Sequence, residues 1–367
     1  MTQQRTPRRH DLLVVGASFA GVACAIAAAR AGASVALCER KRDPGERLHT
    51  TGIVVKEAVA AIEAIAPLPR EVVRPIGGVR LHAPGGRSVA LDSPGYFFLA
   101  TDTPALMRWM CACARDAGVD VALGEPWEGG QRVAGGWLAA SGREARFVVG
   151  ADGPASRVAR DCALGRNTRF LFGAEAEIQG ATLAEPDRLH CFLDATRAHG
   201  YLAWAFAGVG VVQAGLACTR ASEAPLPDVD AFVDAVAPRI GLSGGSVVAR
   251  RAGLIPVGGP VAPRAGDRVL LVGDAAGLVS PLTAGGIHTA LASGMRAGAA
   301  IADALANDDG GTLIVDPPVP RFAVKRAMRA AYDRVQSNAL FDVAIGSAAF
   351  AALARRVFFH KRGKASG

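Results

Sequence analysis

The sequence predicts an α/β protein in which a parallel-sheet unit is interrupted by an antiparallel-sheet unit and followed by closing helices. Three observations predict it. Residues 11–15 and 33–38 are short apolar runs on either side of an alanine-rich helical stretch, 22–31. That is the periodicity of a parallel βαβ unit. Residues 169–219 are rich in strand formers and divided by Gly173, Gly180, Gly200 and Gly208, the pattern of an antiparallel sheet. Residues 268–272 return to a buried apolar strand that feeds a small-residue helix over 286–304, so the first unit resumes after an interruption.

The remaining elements follow in order. Segments 79–82 and 88–91 flank Pro84-Gly85-Gly86 and predict a hairpin, as do 136–140 and 144–149 around Ser141-Gly142-Arg143. Helices are predicted over 104–117 and 228–236, a proline-rich linker over 315–320, and two last helices over 322–337 and 344–359. The first unit is expected to comprise 8–75, 95–165 and 264–312, the second 76–94 and 166–263, and the helical tail 320–367. The sequence carries no internal repeat.

A chain of 367 residues, 50% hydrophobic and 20% charged, can bury cores for two domains. The net charge of +8 resides in scattered residues, apart from Arg5, Arg8 and Arg9 at one end and Arg355, Arg356, Lys361, Arg362 and Lys364 at the other. With no zinc-finger or RNA-binding signature, nucleic acid is not an expected partner. The seven cysteines have no pairing pattern. Cys24, Cys38, Cys111 and Cys113 sit among apolar residues and read as reduced and buried, in a cytoplasmic setting. Cys111 and Cys113 lack a second ligand pair, so no metal is expected. Residues 12–29 are uncharged and follow Arg8-Arg9, which would also suit a signal peptide or a membrane span. Gly16 and Gly21 break that run at the spacing of a dinucleotide loop, and a strand ending in an acid follows.

Four motifs carry chemistry. Gly16-Ala17-Ser18-Phe19-Ala20-Gly21 joins the first strand to the first helix and departs from G-x-G-x-x-G at Ser18. Ser is small enough for a pyrophosphate to approach the backbone; Gly16 permits the turn and Gly21 close strand–helix packing. The helix N-terminus presents its amides and the positive end of its dipole to phosphate. The second strand then ends at Glu39, followed by Arg40. An acid there accepts hydrogen bonds from both ribose hydroxyls of an adenosine and repels a 2′-phosphate, which suits FAD or NAD but not NADP. The third motif, Gly150-Ala151-Asp152-Gly153-Pro154-Ala155-Ser156, delivers Asp152 and Gly153 into a turn before a helix; by itself it is equally a turn with an Asp cap. The fourth is Gly273-Asp274-Ala275-Ala276-Gly277, followed by Pro281-Leu282-Thr283-Ala284-Gly285-Gly286-Ile287. A helix starting there stabilises negative charge.

These motifs resemble the flavoprotein family that contains the aromatic hydroxylases and the geranylgeranyl reductases, over most of residues 10–310. The resemblance implies a Rossmann-like FAD-binding domain of glutathione-reductase type, interleaved with an antiparallel-sheet substrate domain, and FAD as cofactor. It implies contacts from Gly16, Ser18, Phe19, Ala20 and Gly21, from Glu39 and Arg40, and from Asp152 and Gly153 beside the pyrophosphate. It places Gly273 and Asp274 at the ribityl chain and Gly285, Gly286 and Ile287 at the pyrimidine side of the isoalloxazine. Gly277 stands where aromatic hydroxylases carry His, and Ala284-Gly285-Gly286-Ile287 where they carry Gly-Gln-Gly; the Gly-Gly-Ile form, followed by Ala290-Leu291 and Ser293-Gly294, is similar to the geranylgeranyl reductases. The loop with Arg47, His49, Thr50 and Gly52 is expected to face the flavin, with His49 where the family often has Cys and Thr103 where it has an FAD-contacting Arg.

Tyr201-Leu202-Ala203-Trp204-Ala205-Phe206 resembles the reductases' Tyr-x-Trp-x-Phe-Pro, with the Tyr shifted by one and the Pro absent. Alternation puts Leu202, Trp204 and Phe206 on one face and Tyr201 on the other. Trp204 and Phe206 are therefore substrate-wall candidates, with ordinary sheet core as the competing reading. The implied activity is that of an FAD-dependent oxidoreductase. It passes a hydride from reduced flavin to a carbon–carbon double bond of a small hydrophobic, isoprenoid-like substrate and draws on an external electron donor. A monooxygenase that hydroxylates an aromatic or hydrophobic substrate is the alternative, and a non-catalytic flavin protein a third. No proton donor is evident, although His49 and His288 have suitable chemistry. The last helix carries Phe350, Leu353, Val357 and Phe358 with basic residues at its end. It suits either peripheral contact with anionic lipid or docking on the FAD-binding domain.

Overall fold

Leu12, Leu13, Val14 and Val15 are 3% exposed or less, as befits a strand covered on both faces. The computed structural model, which describes residues 8–220, 226–308 and 310–359, places them at the centre of the first of three sheets. Along the chain the elements are β1 (Arg8–Val15), α1 (Phe19–Arg30), β2 (Val35–Glu39), β3 (Ile53–Val55), α2 (Lys56–Glu63), β4 (Val73–Ile76), β5 (Gly78–His82), β6 (Ser88–Asp92), β7 (Phe98–Thr101), α3 (Thr103–Asp116) and β8 (Asp120–Leu123). There follow β9 (Gly130–Val133), β10 (Gly136–Ala139), β11 (Arg143–Gly150), α4 (Arg157–Asp161), β12 (Phe170–Gln179), β13 (Arg188–Phe192), β14 (Ala203–Ala207), β15 (Val211–Thr219) and α5 (Val229–Ile240). The chain closes with β16 (Ser246–Pro256), β17 (Ala265–Gly266), β18 (Val269–Leu271), α6 (Ile287–Ala306), α7 (Ala323–Arg334), α8 (Asn338–Ile345) and α9 (Ala348–Phe359).

In the first sheet β18, β11, β1, β2 and β8 run parallel in that order, with β17 antiparallel at the edge and the β9–β10 hairpin branching from β11. The strand nearest the C-terminus, β18, thus joins strands from the first 150 residues, as the resumed pattern predicts. Helices α1 and α6 pack in contact: a Cβ on Gly294 would sit 2.1 Å from the Ala20 carbonyl oxygen. This close approach fixes the start of α6 relative to the glycine loop.

The second sheet runs β16-β12-β15-β14-β13-β5-β6. Every pair is antiparallel except β13 with β5, where two separate passages of the chain meet. Its two faces bury different residues. Leu171, Trp204, Phe206 and Ala217 face one cluster; Ala176, Ala203, Ala205 and Leu216 face another, beneath α5. The sequence pattern missed the edge strand β16, along with the short elements β3, α2, β4, β7, β8 and β9: β16 is exposed along its first part and carries Arg250 and Arg251 in succession, neither of which signals a strand. The third sheet, β3-β7-β4, lies in sequence between the other two.

Three expectations are corrected. Tyr201 does not turn away from Trp204. Strand β14 begins at Ala203, so alternation does not reach back to residue 201, and Tyr201 and Leu202 both pack on the Trp204–Phe206 cluster. The helix expected over 344–359 is two helices, broken at Gly346 and Ser347. Its last part, α9, packs beside β6 of the second sheet and against Tyr96 and Phe98, which lie within the 95–165 stretch of the first unit. Ala351, Ala354 and Phe359 are buried there, with the Phe359 ring 5.4 Å from Tyr96 and 6.0 Å from Phe98. All seven cysteines are free, and burial pushes the thiols of Cys24 and Cys38 up to about 12; Cys113 is only half-buried.

Candidate functional site

The glycine loop is held open by its own sequence. Gly16 has φ +104°, and a Cβ there would lie 2.5 Å from the Ala151 carbonyl oxygen; a Cβ on Gly21 would lie 1.9 Å from the Gly16 carbonyl oxygen. Neither position can carry a side chain as built. Ser18 is more than a small residue. Its hydroxyl accepts from the Gly21 amide at 3.2 Å, capping α1, and donates to the Ala151 carbonyl at 3.0 Å, tying the loop to the end of β11. Phe19 and Ala20 open α1 and are buried. Glu39, 7% exposed, accepts from the Ala17 amide at 2.9 Å and the Lys41 amide at 3.0 Å, one on each carboxylate oxygen. Each oxygen keeps a lone pair for a further donor. Arg40 is exposed beside it.

Asp152 abuts this loop through its backbone, since its Cα is 3.0 Å from the Cβ position of Gly16. Its carboxylate is committed elsewhere. It accepts from the Ser156 hydroxyl at 2.6 Å and from the amides of Arg157 and Val158 at 2.7 and 3.1 Å, and so holds the start of α4. The cap reading of Asp152 is what its side chain does. Gly153, at φ +86°, has no atom within 4 Å of a Cβ position and leaves the turn open to a ligand.

The fourth motif is a short 3-10 turn after β18, Gly273–Ala276, anchored where the Gly273 amide donates to the Ser293 hydroxyl of α6 at 3.1 Å. A Cβ on Gly273 would sit 2.8 Å from the Ala20 Cβ, so this turn and the glycine loop are neighbours. Among the described residues, burial alone acts on the Asp274 carboxyl, with no donor or cation to offset it, and pushes it up to about 6. Its Oδ1 lies 3.4 Å from the Cβ position of Gly286. Gly286 is the N-cap of α6 and supplies no side-chain cap, Ile287 is the first helical residue, and Gly285 is crowded by nothing closer than the Thr283 hydroxyl. An acceptor without a donor therefore sits beside a helix start without a cap.

The 47–52 loop bridges the first unit and the second sheet. Arg47 is exposed at φ +47°. His49 bonds through Nδ1 to the Ala252 carbonyl at 2.6 Å, and its Cβ lies 2.6 Å from the Cβ position of Gly253. The Thr50 carbonyl accepts from Arg251 at 3.2 Å, and its hydroxyl from the Gly52 amide at 3.3 Å. Thr103 is fully buried beneath Gly52 and shares a 2.9 Å hydrogen bond with Thr101.

A groove opens between His49, Thr50 and Thr51 on one side and Gly173, Glu175, Trp204 and Arg251 on the other. Of the two aromatic candidates, Trp204 lines this groove, whereas Phe206 is wholly enclosed in the core. The Tyr201 hydroxyl donates to the Thr283 carbonyl at 2.5 Å, joining the approach to β14 to the turn before α6. Sequence reasoning missed the polar side of the groove. The Trp204 indole N–H donates to Glu175 at 2.8 Å, and Gln213 Nε2 lies 3.4 Å from Glu175 and 3.3 Å from Glu177. Arg251 pairs with Glu177. Burial pushes the Glu175 carboxyl up to about 7, against the Trp204 bond and the attraction of Arg251. Period-two spacing of Gly173, Glu175 and Glu177 along β12 was the available signal.

Two family models match the chain: an FAD binding domain over residues 137–316 and an FAD dependent oxidoreductase over residues 11–71. A digeranylgeranylglycerophospholipid reductase of Methanopyrus kandleri is 31% identical over 335 residues, covering 82% of this chain and 78% of that protein. One of Methanosphaera stadtmanae is 30% identical over 329 residues, covering 82% and 79%. The fold is that of a geranylgeranyl bacteriochlorophyll reductase-like protein from Thermoplasma acidophilum, with a TM-score of 0.81, 20% identity and 97% of each chain covered. It is also that of a halogenase solved with FAD, with a TM-score of 0.69, 13% identity, and 95% and 86% covered. The cofactor is FAD, and the residues present fit it: a loop that excludes side chains, a strand-end carboxylate, Glu39, with spare lone pairs, and an Asp274 carboxylate with no donor among the described residues.

Proposed function

The chain belongs to the family of the digeranylgeranylglycerophospholipid reductases and is an FAD-dependent oxidoreductase, and from that premise we propose that it saturates carbon–carbon double bonds of a hydrophobic, isoprenoid-like substrate. The observation that carries the reading is the seat at the start of α6. There the unpartnered Asp274 and the Gly285-Gly286 turn meet, and Tyr201 ties that turn to the strand bearing Trp204. In this reading 8–75, 95–165 and 264–312 hold the cofactor, and 76–94 and 166–263 the substrate. Glu39 accepts the ribose hydroxyls, with Arg40 beside it. The amides from Ser18 to Gly21 and the open turn at Gly153 take the pyrophosphate. Asp274, next to Gly273, accepts a ribityl hydroxyl, and the uncapped amides at Ile287, with Gly285 and Gly286, face the pyrimidine edge. Arg47, His49, Thr50 and Gly52 flank the flavin. When bound, reduced FAD supplies the hydride. Trp204 forms the wall that orients the alkene and excludes water.

The electron donor is external. No described helix is long and apolar enough to cross a membrane. Leu340 and Val343 on α8 and Leu353 on α9 are exposed by 50, 71 and 49%, with Arg355 and Arg356 next in sequence. This combination suits peripheral contact with an anionic lipid surface, from which a hydrophobic substrate can be drawn.

Product mass tests the reading. Dithionite-reduced protein incubated with isoprenoid lipids without oxygen should return products heavier by two hydrogens per reduced double bond. A product gaining an oxygen atom, formed only in air, would overturn it in favour of hydroxylation.

A further inference from the structure

We propose that Glu175 is the acid of this reaction: its carboxyl donates the proton to the alkene carbon adjacent to the one that receives the hydride. The inference rests on the double-bond-reduction reading and deepens it by naming a residue. Glu175 is 5% exposed, yet it lines the groove opposite Thr50 and Thr51, on the wall that carries Trp204. Its neighbours come from every element packed against it. Trp204 on β14 donates to Oε2 at 2.8 Å, Gln213 on β15 lies 3.4 Å from Oε1, and the Thr51 side chain hydrogen-bonds to it. Three other groups there are titratable or charged. Arg251 on β16 lies 3.9 Å from Oε1, Glu177 lies on the same strand, and His49 is on the facing loop.

The arrangement suits an acid better than a structural anchor. Arg251 is engaged by Glu177 and by the Thr50 carbonyl, so its charge is not given wholly to Glu175. Burial outweighs what remains and raises the carboxyl to about 7, where a general acid is most effective near neutral pH. A glutamine here would accept the same Trp204 bond with no charge to bury. Of the two histidines with suitable chemistry, His288 is on α6 and does not line this groove, and His49, which does, is exposed with its Nδ1 already bonded to the Ala252 carbonyl.

The step balances. A hydride, with its electron pair, passes from reduced FAD to one alkene carbon. The π pair forms the second C–H bond with the Glu175 proton as the O–H bond breaks. FAD is left oxidised, the substrate saturated and Glu175 a carboxylate. Trp204, Thr51, Gln213 and Arg251 then face that carboxylate. Gln213 Nε2 bridges it to Glu177, which is nearer solvent, so water can return the proton along that side. An external two-electron donor restores the flavin; dithionite serves in the test.

The test combines infrared titration of the ligand-free protein with anaerobic single turnover. Wild type should show a carboxylic-acid carbonyl band that titrates near neutral pH and is missing from Glu175→Gln. Reoxidation of dithionite-reduced wild type by an isoprenoid alkene should slow as pH rises through about 7, because the acid loses its proton. Glu175→Gln should retain its FAD and lose about a hundred-fold or more in that rate. Glu175→Asp, which keeps the acid one methylene back, should fall between and serves if the glutamine variant does not fold. An unmoved infrared band, or a wild-type rate and pH profile in folded Glu175→Gln, overturns the assignment alone. A wild type that no alkene reoxidises overturns the reduction reading beneath it.

Discussion

Replacing Asp274 with Asn should stabilise the ligand-free chain and loosen its hold on FAD. Burial raises the carboxyl from 3.8 to about 6, with nothing among the described residues to offset it. A shift of roughly two units, at about 1.36 kcal/mol each, is about 3 kcal/mol. The sign follows from linkage: with the folded value above the unfolded one, the folded state holds the proton more tightly. The cost is therefore absent below about pH 4, grows as pH rises to about 6, and is constant beyond. The Asp274→Asn variant escapes it, and its melting advantage should appear over that same window. FAD binding should respond oppositely. A hydroxyl donating to a carboxylate contributes about 1.5–3 kcal/mol, and to a neutral amide oxygen about 0.5–1.5 kcal/mol. The Asn variant should bind FAD about five- to ten-fold more weakly at neutral pH, and Asp274→Ala about 10- to 150-fold more weakly. Because the ligand favours the ionised acid, wild-type affinity should fall as pH drops through about 6, while the Asn variant stays flat. Calorimetric FAD titration at about pH 5 and pH 8, with melting curves of the ligand-free proteins, reads both effects. An Asn variant with wild-type Kd and the same pH slope would refute the ribityl assignment.

Other consequences are as direct. Glu39→Arg removes the acceptor proposed for the ribose hydroxyls, together with its bonds to the Ala17 amide of the glycine loop and to the Lys41 amide, so dialysed protein should lose FAD; full occupancy would contradict the role. Gly21→Ala puts a methyl 1.9 Å from the Gly16 oxygen. It should cost about 1–3 kcal/mol in melting stability and lower flavin content, whereas unchanged values would mean that the loop yields freely. Charging Val343 and Leu353 with Glu, at sites already exposed, should lower co-sedimentation with anionic vesicles and leave melting unaltered; equal, negligible binding by wild type and variant would exclude the membrane contact.

What the sequence disclosed was local. Gly16, Gly21 and Glu39 were legible because a tight turn and a strand-end acid are properties of a few consecutive residues. Alternation exposed the hairpin of β5 and β6, and the return to a buried apolar run exposed β18. The failures were non-local. Strand β16 is a strand because β12 pairs with it along its length, not because its own residues alternate. Tyr201 is drawn to the Trp204 face by its bond to Thr283, eighty-two residues away. Asp152 could be a cap or a cofactor contact from its motif, and only the positions of Ser156, Arg157 and Val158 show that its carboxylate caps. Glu175 was hidden for the same reason: its neighbours come from three other strands and a distant loop, so no window of sequence contains its environment.

Whether reduced flavin in this chain reacts with a carbon–carbon double bond is measured directly by rapid-mixing absorbance without oxygen. Dithionite-reduced protein mixed with an unsaturated isoprenoid lipid should regain the oxidised-flavin band. Trp204→Ala should slow that recovery far more than it changes FAD binding; because truncating a buried aromatic costs about 3–5 kcal/mol, its folding is checked by melting first. A flavin that stays reduced against every isoprenoid and conjugated alkene, and reoxidises only in air while an aromatic substrate gains a hydroxyl, would contradict it.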